Sequence, residues 1–176
     1  MKKYKKRIAD RLLKEKLGYM GAVLIKGAKW CGKTTTAEQV AGSVLYVDEP
    51  SRKGQNQSLA KLNPNLLLEG KTPRLLDEWQ VAPELWDAVR FEVDHRDNGV
   101  GQFILTGSAA PLNSNDKEKI SHSGTGRIAW LIMRPMTLYE SGESNGTVSI
   151  KDDLFTNNSS FAAINSLELE DIARLM

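Results

Sequence analysis

The sequence has little of what would draw it away from an ordinary globular domain. It has one cysteine, Cys31, in 176 residues, so no internal disulfide can form and a disulfide-stapled secreted scaffold is excluded. No apolar run approaches the ~20 residues a membrane span needs; residues 22–25 are among the longest. No apolar stretch follows the N-terminal lysines, which excludes a secretory signal. His95 and His122 lack metal-ligand spacing with each other or with Cys31, so no zinc site is expected. There is no internal repeat and no guanine-reading NKxD pattern. These absences predict a cytoplasmic protein with no membrane partner. The length suits one domain, or one domain with a short appendage, able to bury roughly two-thirds of its unfolded surface.

Charge is nearly balanced, at +2 overall, but unevenly spread. Residues 1–16 hold 8 basic and 2 acidic side chains, whereas the rest holds 16 basic and 20 acidic. The basic segment is a candidate DNA or acidic-partner contact. The plainer reading is a solvated helix face.

Apolar periodicity then lays out the elements. Ile8, Leu12, Leu13 and Leu17 predict an amphipathic helix over residues 4–17. Buried strands are expected at 21–26 (GAVLIK), 43–48 (SVLYVD), 73–78 (PRLLDE), 102–106 (QFILT) and 127–133 (RIAWLIM). Helices are expected at 33–41, at a short segment after Asn63-Pro64, and at 83–97 with Leu85, Trp86, Val89 and Val93 inward. Residues 49–58, polar and containing Pro50 and Gly54, read as a loop. The stretch 107–126 reads as a long Gly/Ser/Asn-rich loop of functional length. Thr137 and Glu140 form a capping-box pattern, and two further short helices are expected near Ser149 and after Ser166. Strands alternating with helices predict an α/β fold: a parallel sheet with helices on both faces and right-handed crossovers. Residues 1–20 read as a basic helix, 21–145 as the core, and 146–176 as short helices leading to a missing domain.

Chemistry concentrates between the first strand and the helix after it. Gly27-Ala28-Lys29-Trp30-Cys31-Gly32-Lys33-Thr34 fits G-x-x-x-x-G-K-S/T at every fixed position, in the strand-to-helix context the motif requires. Glycines let backbone N–H groups turn inward around an anion, and the helix start adds partial positive charge. Lys33 is expected to reach the β- and γ-phosphates, and the Thr34 hydroxyl to ligate Mg²⁺. With Thr35, these residues form the candidate nucleotide site. Cys31 reads as a small filler.

Asp77 and Glu78 close an apolar strand with two carboxylates. After such a loop, Asp77 is expected to hold Mg²⁺ through water and Glu78 to activate an attacking water. That pair suits hydrolysis better than phosphotransfer. Trp79 and Gln80 are placed to line the site or, for Trp79, to pack in the core. Thr106 or Ser108, at the end of the fourth strand, is a candidate contact to the γ-phosphate or the water. Arg127, after Gly124-Thr125-Gly126, and Arg134 are candidates to stabilise transition-state charge, in cis or from a neighbouring subunit.

Four segments carry a resemblance: GAVLIKGAKWCGKTTTAEQ (21–39), TPRLLDEWQVAPELWDAVRFEVD (72–94), GQFILTGSA (101–109) and HSGTGRIAWLIMRPMTLYESGES (122–144). Together they resemble prokaryotic AAA-type ATPases, ATP-binding proteins with an N-terminal AAA domain and a nuclease-like C-terminal domain. The resemblance implies a P-loop fold of five parallel strands in the order 5-1-4-3-2. It implies Lys33 and Thr34 as Walker A residues, Asp77 and Glu78 as Walker B residues, and a sensor-type polar residue at 106–108. It adds weight to Arg127 as an arginine finger. It implies ATP and Mg²⁺ as ligands, and the chain's own C-terminal domain and a second copy as partners. Ala28 stands where members carry Pro, and Trp130 where members carry Arg. No helical lid follows, so this stretch is expected to turn over slowly. A small-molecule kinase and a nucleotide-bound module without turnover are the competing readings; the absence of arginine in 107–126 counts against the kinase.

Overall fold

Strands that are apolar on both sides can be stable only between two layers of helices, and that is how these strands are used. In the computed structural model the described residues are 4–96, 99–108, 125–146 and 170. The strands are β1 (Ala22–Gly27), β2 (Ser43–Tyr46), β3 (Arg74–Asp77), β4 (Phe103–Ser108) and β5 (Ile128–Met133). They form one five-stranded sheet in the order β2-β3-β4-β1-β5, every pairing parallel. Read from the other edge, this is the expected 5-1-4-3-2.

The helices are α1 (Ile8–Leu17), α2 (Lys33–Glu38), α3 (Lys53–Leu62), α4 (Asn65–Leu68), α5 (Glu84–His95) and α6 (Leu138–Ser141), with a single 3₁₀ turn at Trp79–Val81. Alternation along each strand feeds two cores. Ala22, Leu24, Leu76, Phe103, Leu105 and Ile128 face a cluster completed by Ala60, Leu85, Trp86 and Val89. Val23, Ile25, Leu75, Ile104, Leu131 and Met133 face the opposite cluster, completed by Ala9, Leu13, Leu17 and Ala37. The basic N-terminal helix is thus sealed onto the sheet by one apolar stripe, its charges on the other side.

Arg7–Pro135 forms one compact unit, and residues 1–6 with Met136–Met176 form a second. In the second, the expected capping box is made: Thr137 N–H donates to Glu140 Oε2 at 2.8 Å, and Glu140 N–H donates to Thr137 Oγ1 at 3.2 Å. Gly142, at φ 87°, ends that turn. No helix among the described residues is long and apolar enough to cross a membrane.

One expectation is overturned. The segment read as a loop over 49–58 contains the first six of the ten residues of α3. Gly54 stands in its first turn with open space around it. The helix is held from outside its own pattern: the buried Asn56 amide donates to the Tyr46 and Val47 carbonyls, both at 3.3 Å, and Ala60 enters the core. The helices expected near Ser149 and Ser166, and residues 109–124 of the long loop, lie outside the described residues apart from Glu170.

Candidate functional site

All five strands point their C-terminal ends the same way, so whatever follows β1, β3 and β4 meets at one edge of the sheet. The register makes this concrete: Gly27 pairs with Ser108, and Asp77 with Thr106.

The loop 27–34 leaves β1 at Gly27. A Cβ there would collide with the Met133 carbonyl and lie 2.9 Å from Cys31 Sγ, so glycine is needed for the close approach to β5. Two residues take left-handed backbone, Trp30 at φ 63° and Gly32 at φ 95°. Gly32 then caps α2, which begins directly at Lys33. Lys33 is buried, and its Nζ donates to the carbonyls of Gly27 at 3.2 Å and Ala28 at 2.9 Å. The ammonium is therefore folded back over the start of the loop. Cys31 is buried and its thiol points at the Met133 carbonyl, 3.6 Å away, in keeping with a filler. Ala28, Lys29, Trp30 and Thr35 are exposed; Trp30 is 91% so, with Lys29 Nζ 5.4 Å from its ring centre.

Asp77 is the hub. Its Oδ1 accepts from Thr34 Oγ1 at 2.7 Å and from Thr106 Oγ1 at 2.5 Å. Three residues from three elements are thereby locked into one cluster of hard oxygen donors. Glu78 follows in left-handed backbone, φ 54°, an uncommon conformation for a non-glycine residue. The chain turns there into the 3₁₀ turn, and the Gln80 amide donates to Glu78 Oε2. Gly107 leaves the space that Gln80 fills: a Cβ at 107 would strike Gln80 Oε1. Trp79 is buried and packs against Trp86, ring centres 5.2 Å apart, so it belongs to the core.

Arg127, expected to act in cis or from a neighbouring subunit, stands away from the loop of its own subunit. It precedes Ile128, the partner of Ala22, at the far end of β1 from the loop. Its Nε donates to both carboxylate oxygens of Asp94, at 2.7 and 2.6 Å, so its charge is spent on α5. Arg134, exposed, follows Met133, the partner of Gly27, and so stands at the loop's end of the sheet.

A residue that sequence reasoning passed over is Arg7. It is buried, and it reaches the loop through its guanidinium. It stands at the N-cap of α1, just outside the apolar stripe of Ala9, Leu13 and Leu17, among lysines, and nothing in its local pattern sets it apart.

No curated protein matches the sequence. Among solved structures the chain is similar to the structure of the Aeropyrum pernix ORC2 protein in its ADPNP–ADP complexes, at 17% identity and a TM-score of 0.46, over 77% of this chain and 50% of that one. The chain thus spans about half the length of that neighbour. Residues 20–142 match the AAA domain, a stretch that runs from the start of β1 through α6 and takes in the loop, the acidic strand end and Thr106. The chain therefore belongs to the AAA domain family and carries its ATPase-type nucleotide-binding fold.

Proposed function

We propose that this domain binds ATP with Mg²⁺ and hydrolyses it, to drive or switch the C-terminal module that the family resemblance implies. The observation that carries the reading is the Thr34–Asp77–Thr106 cluster beside the Lys33 loop, with Glu78 next in the chain. The donor set suits Mg²⁺, which prefers hard oxygens, takes one or two protein carboxylates and shares its shell with water and substrate phosphates. Thr34 and Asp77 would hold it, and when bound it would neutralise charge developing on the phosphate oxygens.

The chain's own groups do the rest. The Lys33 ammonium swings from the loop carbonyls to the phosphate oxygens of ATP. Thr106 keeps Asp77 aimed by donating to it. Glu78 accepts the proton of the attacking water, held in orientation by the Gln80 amide. The water oxygen bonds to the γ-phosphorus, the bond to the bridging oxygen breaks, and ADP and phosphate leave. Arg134, at the loop's end of the sheet, is one arginine this chain can offer to its own site; Arg127, at the other end, is the candidate to act on a neighbouring copy.

The test is ATP titration with and without Mg²⁺, followed by phosphate release, on the protein and on Glu78→Gln. Both should bind, and release should fall by about 100-fold or more in the variant. Binding without release by the unaltered protein would favour the nucleotide-bound module. Failure of the unaltered protein to bind ATP would end the reading.

A further inference from the structure

We propose that Arg7 is a positioning residue of the phosphate loop: its guanidinium holds the peptide between Cys31 and Gly32 so that the Gly32 N–H faces the loop interior. The inference rests on the nucleotide-binding reading above. Arg7 stands just before α1, with its own N–H donating to Asp10 Oδ2 at 2.8 Å. Its side chain is only 8% exposed. Nη1 donates to the Cys31 carbonyl at 2.8 Å, and Nη2 to the Arg134 carbonyl at 2.9 Å.

A trans peptide is planar, with the C=O of one residue and the N–H of the next pointing in opposite directions. Pinning the Cys31 carbonyl onto Arg7 therefore fixes where the Gly32 N–H points. A loop that cradles an anion needs its amides turned inward. Without a partner for that carbonyl, the peptide is free to turn over and bring an oxygen towards the phosphates. Gly32 also gives Arg7 room: a Cβ there would stand 3.2 Å from Nη1.

The second bond widens the effect. Arg134 follows Met133, the register partner of Gly27. Arg7 thus ties the far end of the loop to the strand flanking its near end. A planar fork can serve two carbonyls from different segments at once, and its charge is never lost. Lysine, a point charge on a flexible stem, has no such fixed geometry.

The experiment uses the full chain, with Arg7→Met and Arg7→Lys. Affinity for MgATP and the KM of phosphate release are measured beside the thermal midpoint without nucleotide, and the Gly32 amide is followed by ¹H–¹⁵N NMR. Arg7→Met should weaken ATP binding and raise KM about 10-fold or more while kcat changes little, the pattern of a lost binding contribution. The Gly32 amide signal should move. Arg7→Lys should restore part of the affinity. A purely structural role would lower the midpoint and the active fraction but leave the KM of the folded molecules and the Gly32 signal in place, and that result overturns the proposal. If Arg7→Met does not fold, Arg7→Lys with unaltered affinity and an unmoved Gly32 signal overturns it as well. If the unaltered protein binds no ATP, the functional reading fails; a Gly32 signal that still moves in the variants would then support the positioning role by itself.

Discussion

The two ends of the sheet are built from the same strands, and yet the arginines beside α5 and the charged residues of the loop cluster are held in different ways. At the N-terminal end, Arg127 is spent on Asp94 and Arg96 on Glu92, so cations meet carboxylates and stop there. At the C-terminal end, among the described residues, Lys33, Asp77 and Glu78 have no ion-pair partner within 4.0 Å. Neutral groups hold them instead: two threonine hydroxyls for Asp77, a glutamine amide for Glu78, two carbonyls for Lys33. Hydrogen bonds to neutral partners aim a charge without cancelling it. That difference is what the proposed binding of a charged ligand at the second end would require. Backbone strain follows the same division. Trp30 and Glu78, the non-glycine residues in left-handed backbone among those described, both lie at the C-terminal end.

The sharpest way to break this contrast is to remove a charge at each end. Lys33→Ala should weaken ATP binding by about 100-fold or more, since charge-assisted hydrogen bonds contribute roughly 1.5–3 kcal/mol each. Equilibrium binding at fixed Mg²⁺ decides it, and unaltered affinity would mean the two ends do not differ as described.

Paired glycines sharpen it further. Gly21, at the N-terminal end, would drive a Cβ into Val93 and to 2.8 Å from the Gly99 carbonyl. Gly21→Ala should cost about 1–3 kcal/mol as overpacking. The thermal midpoint should drop by roughly 2–4 °C per kcal/mol in a chain of this size, with KM unchanged. Gly107→Ala pushes instead on the far end of the Gln80 side chain, which can swing away. Its midpoint should stay close to that of the unaltered protein while kcat falls, because Gln80 leaves Glu78. Loss of stability in Gly107→Ala with kcat intact would refute the assignment of Gln80.

Arg127→Ala is the converse of the lysine change. Both partners of that pair are 39% exposed, so the pair contributes less than about 1 kcal/mol. ATP affinity of the single subunit should not change. A sedimentation experiment beside the phosphate-release assay would show whether any loss of turnover depends on self-association.

The smallest effect belongs to the rim of the same end. Tyr46, on the edge strand β2, donates to Glu38 Oε1 at 2.5 Å. That bond, with some burial, pushes its hydroxyl from the ordinary 10.0 up to about 12. The folded state thus holds this proton more tightly than the unfolded chain does. The contribution is whole below pH 10 and drains away as pH rises towards 12. Tyr46→Phe should remove this alkaline dependence at a cost of about 0.5–1 kcal/mol, read by denaturant titration across that range.

Much of this was open to inspection in one dimension. Two-sided apolar runs such as residues 22–25 and 103–105 can be stable only as central strands, and the loop motif with its lysine and threonine requires no partner beyond its neighbours in the chain. The helix over Lys53–Leu62 was not legible, because its anchor, Asn56, bonds to carbonyls of the preceding strand and its exit, not to its own helix. The placements of Arg127 and Arg7 were not legible for the same reason. An arginine beside a Gly-rich approach looks functional and one among lysines looks solvated, but direction along a parallel strand puts the first at the wrong end, and helix docking brings the second to the loop.

What the sequence determined by itself is the set of local devices: period-two and helical apolar patterns, the capping residues, the glycines that permit inward amides. Each of these acts over a few bonds and is independent of the rest of the fold. What only the tertiary structure decided is which charges are neutralised and which are held ready. That depends on separations between Asp77 and Thr106, Arg127 and Asp94, and Arg7 and Cys31, residues that are 24 to 33 positions apart in the chain. Electrostatic energy depends on distance through space and on exposure to water, and neither is written in the order of residues.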